Sequence, residues 1–130
     1  VEVQEYEKSV RVRATERLKS VDIKTMPYPG FPTDMQSPMM SAMCVAKGTS
    51  VVTETVFENR FMHINELKLM GAKIKVDGRS AIIEGIDCLS GAKVRATDLR
   101  AGAALIISAL CAEGRTEIAD VYHIDRGYIN

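Results

Sequence analysis

FPTDMQSPMMSAMCVAKGTSVVTETVFENRF, residues 31–61, can be laid over RATDLRAGAALIISALCAEGRTEIADVYHIDRGY, residues 95–128. Thr33-Asp34 falls on Thr97-Asp98, Gly48 on Gly114 and Arg60 on Arg126. The offset is 64 residues at the aspartates and 66 at the glycines and the arginines, so the second copy carries two extra residues in its helix. A repeat of this kind decides the architecture, because each copy is one supersecondary unit. Asp34 and Asp98 stand where a helix N-cap belongs, ahead of Ala-, Met- and Leu-rich runs. Gly48 and Gly114 stand where such helices stop. The β-branched runs TSVVTETVF and RTEIADVYHI that follow predict strands. Pro38 is compatible with the first helix only because it lies near its first turn, where backbone N–H groups have no intrahelical partner.

Outward from this core, Phe61, Ile64, Leu67 and Met70 recur at close to helical spacing, and Gly71 supplies a stop, predicting a second helix. KIKVDGRSAIIEGI predicts two strands about an Asp77-Gly78 turn. Upstream, KSVRVRA and KSVDIKT read as one more strand pair. The fold class is therefore α/β: residues 1–30 as the tail of one unit, 31–94 as a full α-β-α-β-β unit, and 95–130 as the start of the next. Both ends read as cut from a longer chain.

Composition narrows the function. Lys plus Arg and Asp plus Glu are equal at 17 each, so no net field favours nucleic acid or an acidic membrane surface. No apolar run approaches the roughly 18 residues of a membrane span, and no signal peptide is visible, which predicts a cytoplasmic protein. Cys44, Cys88 and Cys111 lie in apolar or small-residue runs without metal-ligand spacing, which predicts free buried thiols. His63 and His123 lack a second ligand at metal spacing, and packing or exposure is the simpler reading of each. The Met-rich MQSPMMSAM reads as core filler.

The groups that carry chemistry are Asp34, Asp98, Arg60, Arg100 and Arg126. Each has a plain structural reading, the aspartates as N-caps and the arginines as solvated surface charges. Their recurrence at helix and strand ends points further. Guanidinium forks beside helix N-termini suit a carboxylate or phosphate ligand, and a carboxylate among them suits acid/base work at lowered pKa. The rigid loop YPGFPTD, residues 28–34, delivers Asp34 into its helix.

PYPGFPTDMQ (27–36), TETVFENRFMH (53–63), ELKLMGA (66–72), ATDLRAGAAL (96–105) and HIDRGY (123–128) resemble, in order and spacing, the UDP-N-acetylglucosamine 1-carboxyvinyltransferases. The resemblance implies transfer of an enolpyruvyl group from phosphoenolpyruvate to the sugar 3-hydroxyl through a tetrahedral intermediate, with phosphate released and no cofactor or metal. It implies Asp34 as general base beside that hydroxyl and Asp98 as a second acid. The backbone of Val56 would help hold the UDP-sugar, and Arg60, Arg100 and Arg126 would face phosphoenolpyruvate. The implied fold is an inside-out α/β barrel of repeated units, helices within and sheets outside, in each of two domains with the active site between them.

The family's N-terminal Lys-Asn pair, its reactive-cysteine loop and its partner domain have no counterpart here, so the piece alone is expected to be inactive. Ile129 and Asn130 stand where the family continues with an acidic residue. Uncovered helix faces and strand edges of a truncated repeat favour self-association or the remaining chain. The sister 3-phosphoshikimate 1-carboxyvinyltransferases share fold and chemistry, and a non-catalytic binding module on the same repeat is the rival of a different class.

Overall fold

The computed structural model describes residues 1–129; Asn130, one of the two closing residues that depart from the family string, lies outside the described residues. A hairpin of β1 (Glu2–Tyr6) and β2 (Ser9–Arg13) opens the chain. Then come β3 (Ile23–Lys24), α1 (Gln36–Cys44), β4 (Thr49–Thr53), α2 (Ile64–Leu69), β5 (Lys73–Asp77) and β6 (Ser80–Glu84). The second half holds β7 (Leu89–Ser90), β8 (Lys93–Arg95), α3 (Leu99–Leu110), β9 (Ala112–Glu113), β10 (Glu117–Ala119) and the single turn α4 (Tyr122–Asp125).

The two copies of the sequence pattern fold as two β-α-β crossovers. β3 runs into α1 and returns as β4, parallel to it, with Ile23 opposite Val52. β8 runs into α3 and returns as β10, again parallel, with Val94 opposite Ile118. A second parallel contact accompanies each crossover, Lys19 with Lys47 in the first and β7 with β9 in the second. Beyond β4 the chain adds α2 and the β5–β6 hairpin, completing a four-stranded sheet in the order β3-β4-β6-β5. Lys73 and Lys75 point outward from β5 while Ile74 points inward, which is how a lysine-rich segment serves as a strand. The turn residues are Gly78 and Arg79, one step later than the sequence predicts, with Asp77 paired to Ser80.

Three expectations need correcting, besides the end of the run RTEIADVYHI, where Tyr122–Asp125 forms α4 rather than strand. The upstream strands do not pair with each other: residues 1–13 close on themselves about the two-residue turn Glu7-Lys8, and Ile23–Lys24 pairs with β4 instead. Local closure of a hairpin requires no long loop, so it satisfies β2 first. Gly48 and Gly114 do not terminate the helices directly. Each takes positive φ (+109° and +90°) further on, Gly48 after the Lys47 bridge and Gly114 after β9. The third correction concerns the thiols. Cys44 is buried, with its thiol pushed up to about 12 by that burial, but Cys88 is half-buried and Cys111 exposed.

The core lies between one face of the four-stranded sheet and the helices. Met40, Met43, Cys44, Val52, Leu67, Met70, Ile74, Ala81 and Ile83 fill it. α1 and α3 lie against each other, and Ala101, Ala104 and Ser108 are small buried residues of α3, while Gly102 leaves room for Ile124 of α4. Ser41 Oγ donates across it to the Ala104 carbonyl at 2.8 Å. α3 is not enclosed all round within this chain, since Ile106, Ile107 and Leu110 are exposed. Arg17 secures the far end of α1, donating to the carbonyls of Val45 (2.8 Å), Ala46 (3.2 Å) and Ile86 (2.6 Å).

Gly85 marks the tightest backbone approach. A Cβ there would stand 1.7 Å from the Ala46 carbonyl oxygen, in the stretch where Gly85 N–H bonds the Gly48 carbonyl at 2.9 Å. Backbone cannot rotate aside as a side-chain tip can. Gly85→Ala is therefore expected to destabilise the protein by about 1–3 kcal/mol or more, read as a lowered denaturant midpoint, whereas Gly71→Asn, with open space but φ +90°, should cost only the backbone strain of about 1 kcal/mol.

Candidate functional site

Thr33, Asp34 and Met35 form one 3-10 turn leading into α1. Asp34 is not the N-cap of α1, a second departure from the repeat pattern: the capping position is Met35, and no side chain caps it. The carboxylate is held by two arginines instead. Oδ1 accepts from Arg60 at 2.9 Å and Oδ2 from Arg100 at 2.8 Å. A 3-10 turn at Thr33–Met35 puts the start of α1 two residues beyond Asp34, so the carboxylate meets two guanidinium groups in place of the helix amides. Asp98, its repeat counterpart, does cap: Oδ1 accepts from the amides of Arg100 (2.8 Å) and Ala101 (2.9 Å).

The arginines come from different elements. Arg60 stands in the loop between β4 and α2, just after Asn59, which adopts left-handed backbone at φ +58°, a region asparagine tolerates. It donates to Thr33 Oγ1 at 2.7 Å, and its guanidinium lies 4.9 Å from the centre of the Phe57 ring, a cation–π contact. Arg100 stands in the first turn of α3 and also donates to Tyr128 Oη at 3.4 Å. Hydrogen bonds from Arg100 and then Arg60 hold the Asp34 carboxyl below its ordinary value, and the Asp34 and Tyr128 contacts raise that of Arg100. Asp34 is thus a firmly ionised carboxylate inside a cationic bracket.

Of the remaining predicted residues, Asp98 adjoins the bracket through Arg100, whereas Arg126 does not enter it. Arg126 is exposed after α4 and makes no side-chain hydrogen bond among the described residues. The Val56 amide is already committed, donating to Glu54 Oε1 at 2.8 Å, so its carbonyl is the backbone group left to meet a ligand. A cleft of about 510 Å³, lined in part by Phe57, Glu58, Arg60 and Arg79, opens beside it.

Sequence reasoning missed Thr33, Glu54 and Tyr128 as members of this network. Glu54 is 2% exposed and accepts from Thr25 Oγ1 (2.7 Å), Val56 N (2.8 Å), Phe57 N (3.1 Å) and Thr33 Oγ1 (2.9 Å). A lone carboxylate inside the β-branched run SVVTETV was the available signal. His63, read as packing or exposed, is buried in front of α2. His123 is half-buried, with its ring 4.1 Å from that of Tyr122.

The family model for EPSP synthase (3-phosphoshikimate 1-carboxyvinyltransferase) matches residues 1–130. The chain belongs to this family. It is 65% identical over 129 residues to UDP-N-acetylglucosamine 1-carboxyvinyltransferase 1 of Caldanaerobacter subterraneus subsp. tengcongensis, covering 99% of this chain and 31% of that protein. It is 63% identical over 123 residues to the Clostridium acetobutylicum protein of the same name, covering 95% and 29%. The crystal structure of the enolpyruvyl transferase NikO from Streptomyces tendae matches with a TM-score of 0.87 at 31% identity, covering 98% of this chain and 30% of that one. The resemblance carried by the FPTDMQ and FENRFMH strings thus holds nearly end to end, and the α/β fold is that of the enolpyruvyl transferases. The chain spans about a third of the length of these curated EPSP synthase family relatives.

His63 connects the site to acid stability. Burial lowers its pKa from 6.5 to about 4, against the opposing charge of Asp98 and a hydrogen bond to the Arg60 backbone. The unfolded chain therefore takes up a proton first, and stability present above pH 6.5 is lost as the pH falls toward about 4. The loss should reach about 3 kcal/mol. Denaturant melts across this window should show the slope, and His63→Gln should flatten it while leaving the separate loss that follows protonation of the carboxylates at lower pH.

Proposed function

We propose that this chain is one wall of the active site of an enzyme that transfers the enolpyruvyl group of phosphoenolpyruvate to the 3-hydroxyl of UDP-N-acetylglucosamine, releasing phosphate. In this reading the parent is a cytoplasmic enzyme of peptidoglycan synthesis. The observation that carries it is the Asp34 carboxylate bracketed by Arg60 and Arg100, in a chain 65% identical to a protein named for that reaction.

The chemistry needs one proton removed from the attacking hydroxyl, one delivered to the methylene carbon, and negative charge held throughout. Asp34 takes the hydroxyl proton as the sugar oxygen attacks the carbon bearing phosphate. Its lowered pKa makes it a weak base while both arginines hold it. A phosphoenolpyruvate anion that engages the same two guanidinium groups weakens that hold, and so raises the basicity of Asp34 when substrate is present. Arg126, exposed and unengaged among the described side chains, is available to the same anion. Asp98 keeps Oδ2 beyond its two capping bonds and serves as the second acid. Val56 meets the sugar through its carbonyl.

The exposed apolar side of α3 borders a groove of about 640 Å³ with Met35, Pro38, Val121 and Tyr128. It is where the rest of the enzyme would pack, and when bare it favours self-association.

In the full-length protein, Asp34→Ala, Arg60→Ala and Arg100→Ala are each expected to lower phosphate release by 10²–10³-fold or more. Retained turnover in all three would overturn the catalytic reading in favour of a binding module. Release that depends on shikimate 3-phosphate rather than the UDP-sugar would assign the sister reaction. Residues 1–130 alone, mixed with both substrates, should release no phosphate above a no-protein control, since half the groups around the transition state are missing.

A further inference from the structure

Glu54 bonds neither Asp34 nor Arg60, yet it holds the pieces that present them. It follows the last residue of β4, and its own amide donates to the Arg79 carbonyl at 2.8 Å, fixing it to the β5–β6 turn. One carboxylate oxygen gathers Thr25 at the end of β3 with the Val56 and Phe57 amides of the loop leading to Arg60. The other accepts from Thr33, the residue before Asp34. Thr33 Oγ1 then accepts from Arg60 at 2.7 Å, and Arg60 donates to Asp34. A chain of bonds therefore runs from a buried carboxylate through a hydroxyl to the guanidinium that brackets Asp34.

We propose that Glu54 is a positioning residue of the active site, acting through Thr33 on Arg60 and through the Val56 and Phe57 amides on the sugar-facing loop. The assignment rests on the function proposed above. Because Glu54 Oε2 accepts, the Thr33 proton points toward it, and the hydroxyl lone pairs face Arg60. A hydroxyl has one proton and two lone pairs, so a proton held by Glu54 leaves the lone pairs free for Arg60, which can only donate. Burial pushes the Glu54 carboxyl up, and the bonds from Thr25, Val56, Phe57 and Thr33 together outweigh it, leaving the group below its ordinary value and ionised. The ionised form offers only acceptors to Thr33 and the loop. Phe57, fixed by its amide, also carries the ring over which the Arg60 guanidinium lies.

Glu54→Gln keeps the shape and one acceptor oxygen but faces a donor toward Thr33, so the hydroxyl proton loses its acceptor and one of the two lone pairs open to Arg60 is taken by the amide. Thr33→Val removes the hydroxyl with little change of shape, and Thr33→Ser keeps it. In the full-length enzyme, E54Q and T33V should each lower kcat/KM for phosphoenolpyruvate by roughly 10- to 100-fold, the scale of a misplaced reacting group. T33S should stay within about 3-fold of wild type. The E54Q/T33V double variant should be no worse than the poorer single, because both break one chain of contacts. Thermal midpoints, measured alongside, establish that each variant is folded. Full activity in a folded E54Q or T33V, or losses that multiply in the double variant, would overturn the proposal. If E54Q does not fold, T33V against T33S decides by the same criterion. R60A separates the two levels of the argument: an active R60A removes the proposed function itself, while an inactive R60A beside a fully active E54Q removes only the positioning role.

Discussion

The close packing of α1 against α3 is the contact on which the arrangement of charges depends. Both helices start at the same end of the molecule, so the turn before α1 and the first turn of α3 come side by side. Small residues on α3 and the hydrogen bond from Ser41 to the Ala104 carbonyl set that separation. Asp34 and Arg100 are 66 residues apart in the chain and 2.8 Å apart in space because of it. A bulkier α3 surface would hold the same two side chains in the sequence and lose the contact between them.

The bracket around Asp34 belongs to organisation more than to stability. The Asp34 side chain is about half exposed, and ion pairs in such a position are screened by water and salt. The value of the arrangement is that two cations and one anion are already in place, so little reorganisation remains when a charged ligand arrives. The repeat shows how this arose in physical terms. At Asp98 the carboxylate answers the free amides of a helix start, whereas at Asp34 the helix begins later and two arginines occupy the carboxylate.

A buried carboxylate is unfavourable unless its lone pairs are met. Glu54 meets this condition with two hydroxyls and two amides, and those four donors come from three separate stretches of chain. Removing it would leave several donors short at once, which is why such a group ties segments together more firmly than an exposed pair does. Its net effect on the free energy of folding can be small even so, since desolvation opposes the bonds.

The long helices, the strand segments at Thr49–Thr53 and Glu117–Ala119 and the repeat were legible in the sequence because they depend on local spacing and composition, whereas the end of the second β-branched run became α4. The grouping of Asp34, Arg60 and Arg100 was legible through motif strings and their resemblance to a family. What the sequence could not decide was which partner each polar group would take. Asp34 and Asp98 sit in the same local pattern and end in different bonds. Arg126 shares its repeat position with Arg60 and lies outside the bracket. Glu54 is one acidic residue among 17, with only its apolar neighbours to mark it. Local pattern determines elements because their hydrogen bonds close within a few residues. Side-chain partners are chosen in three dimensions, by which helix packs against which and by which groups lose their water when they do.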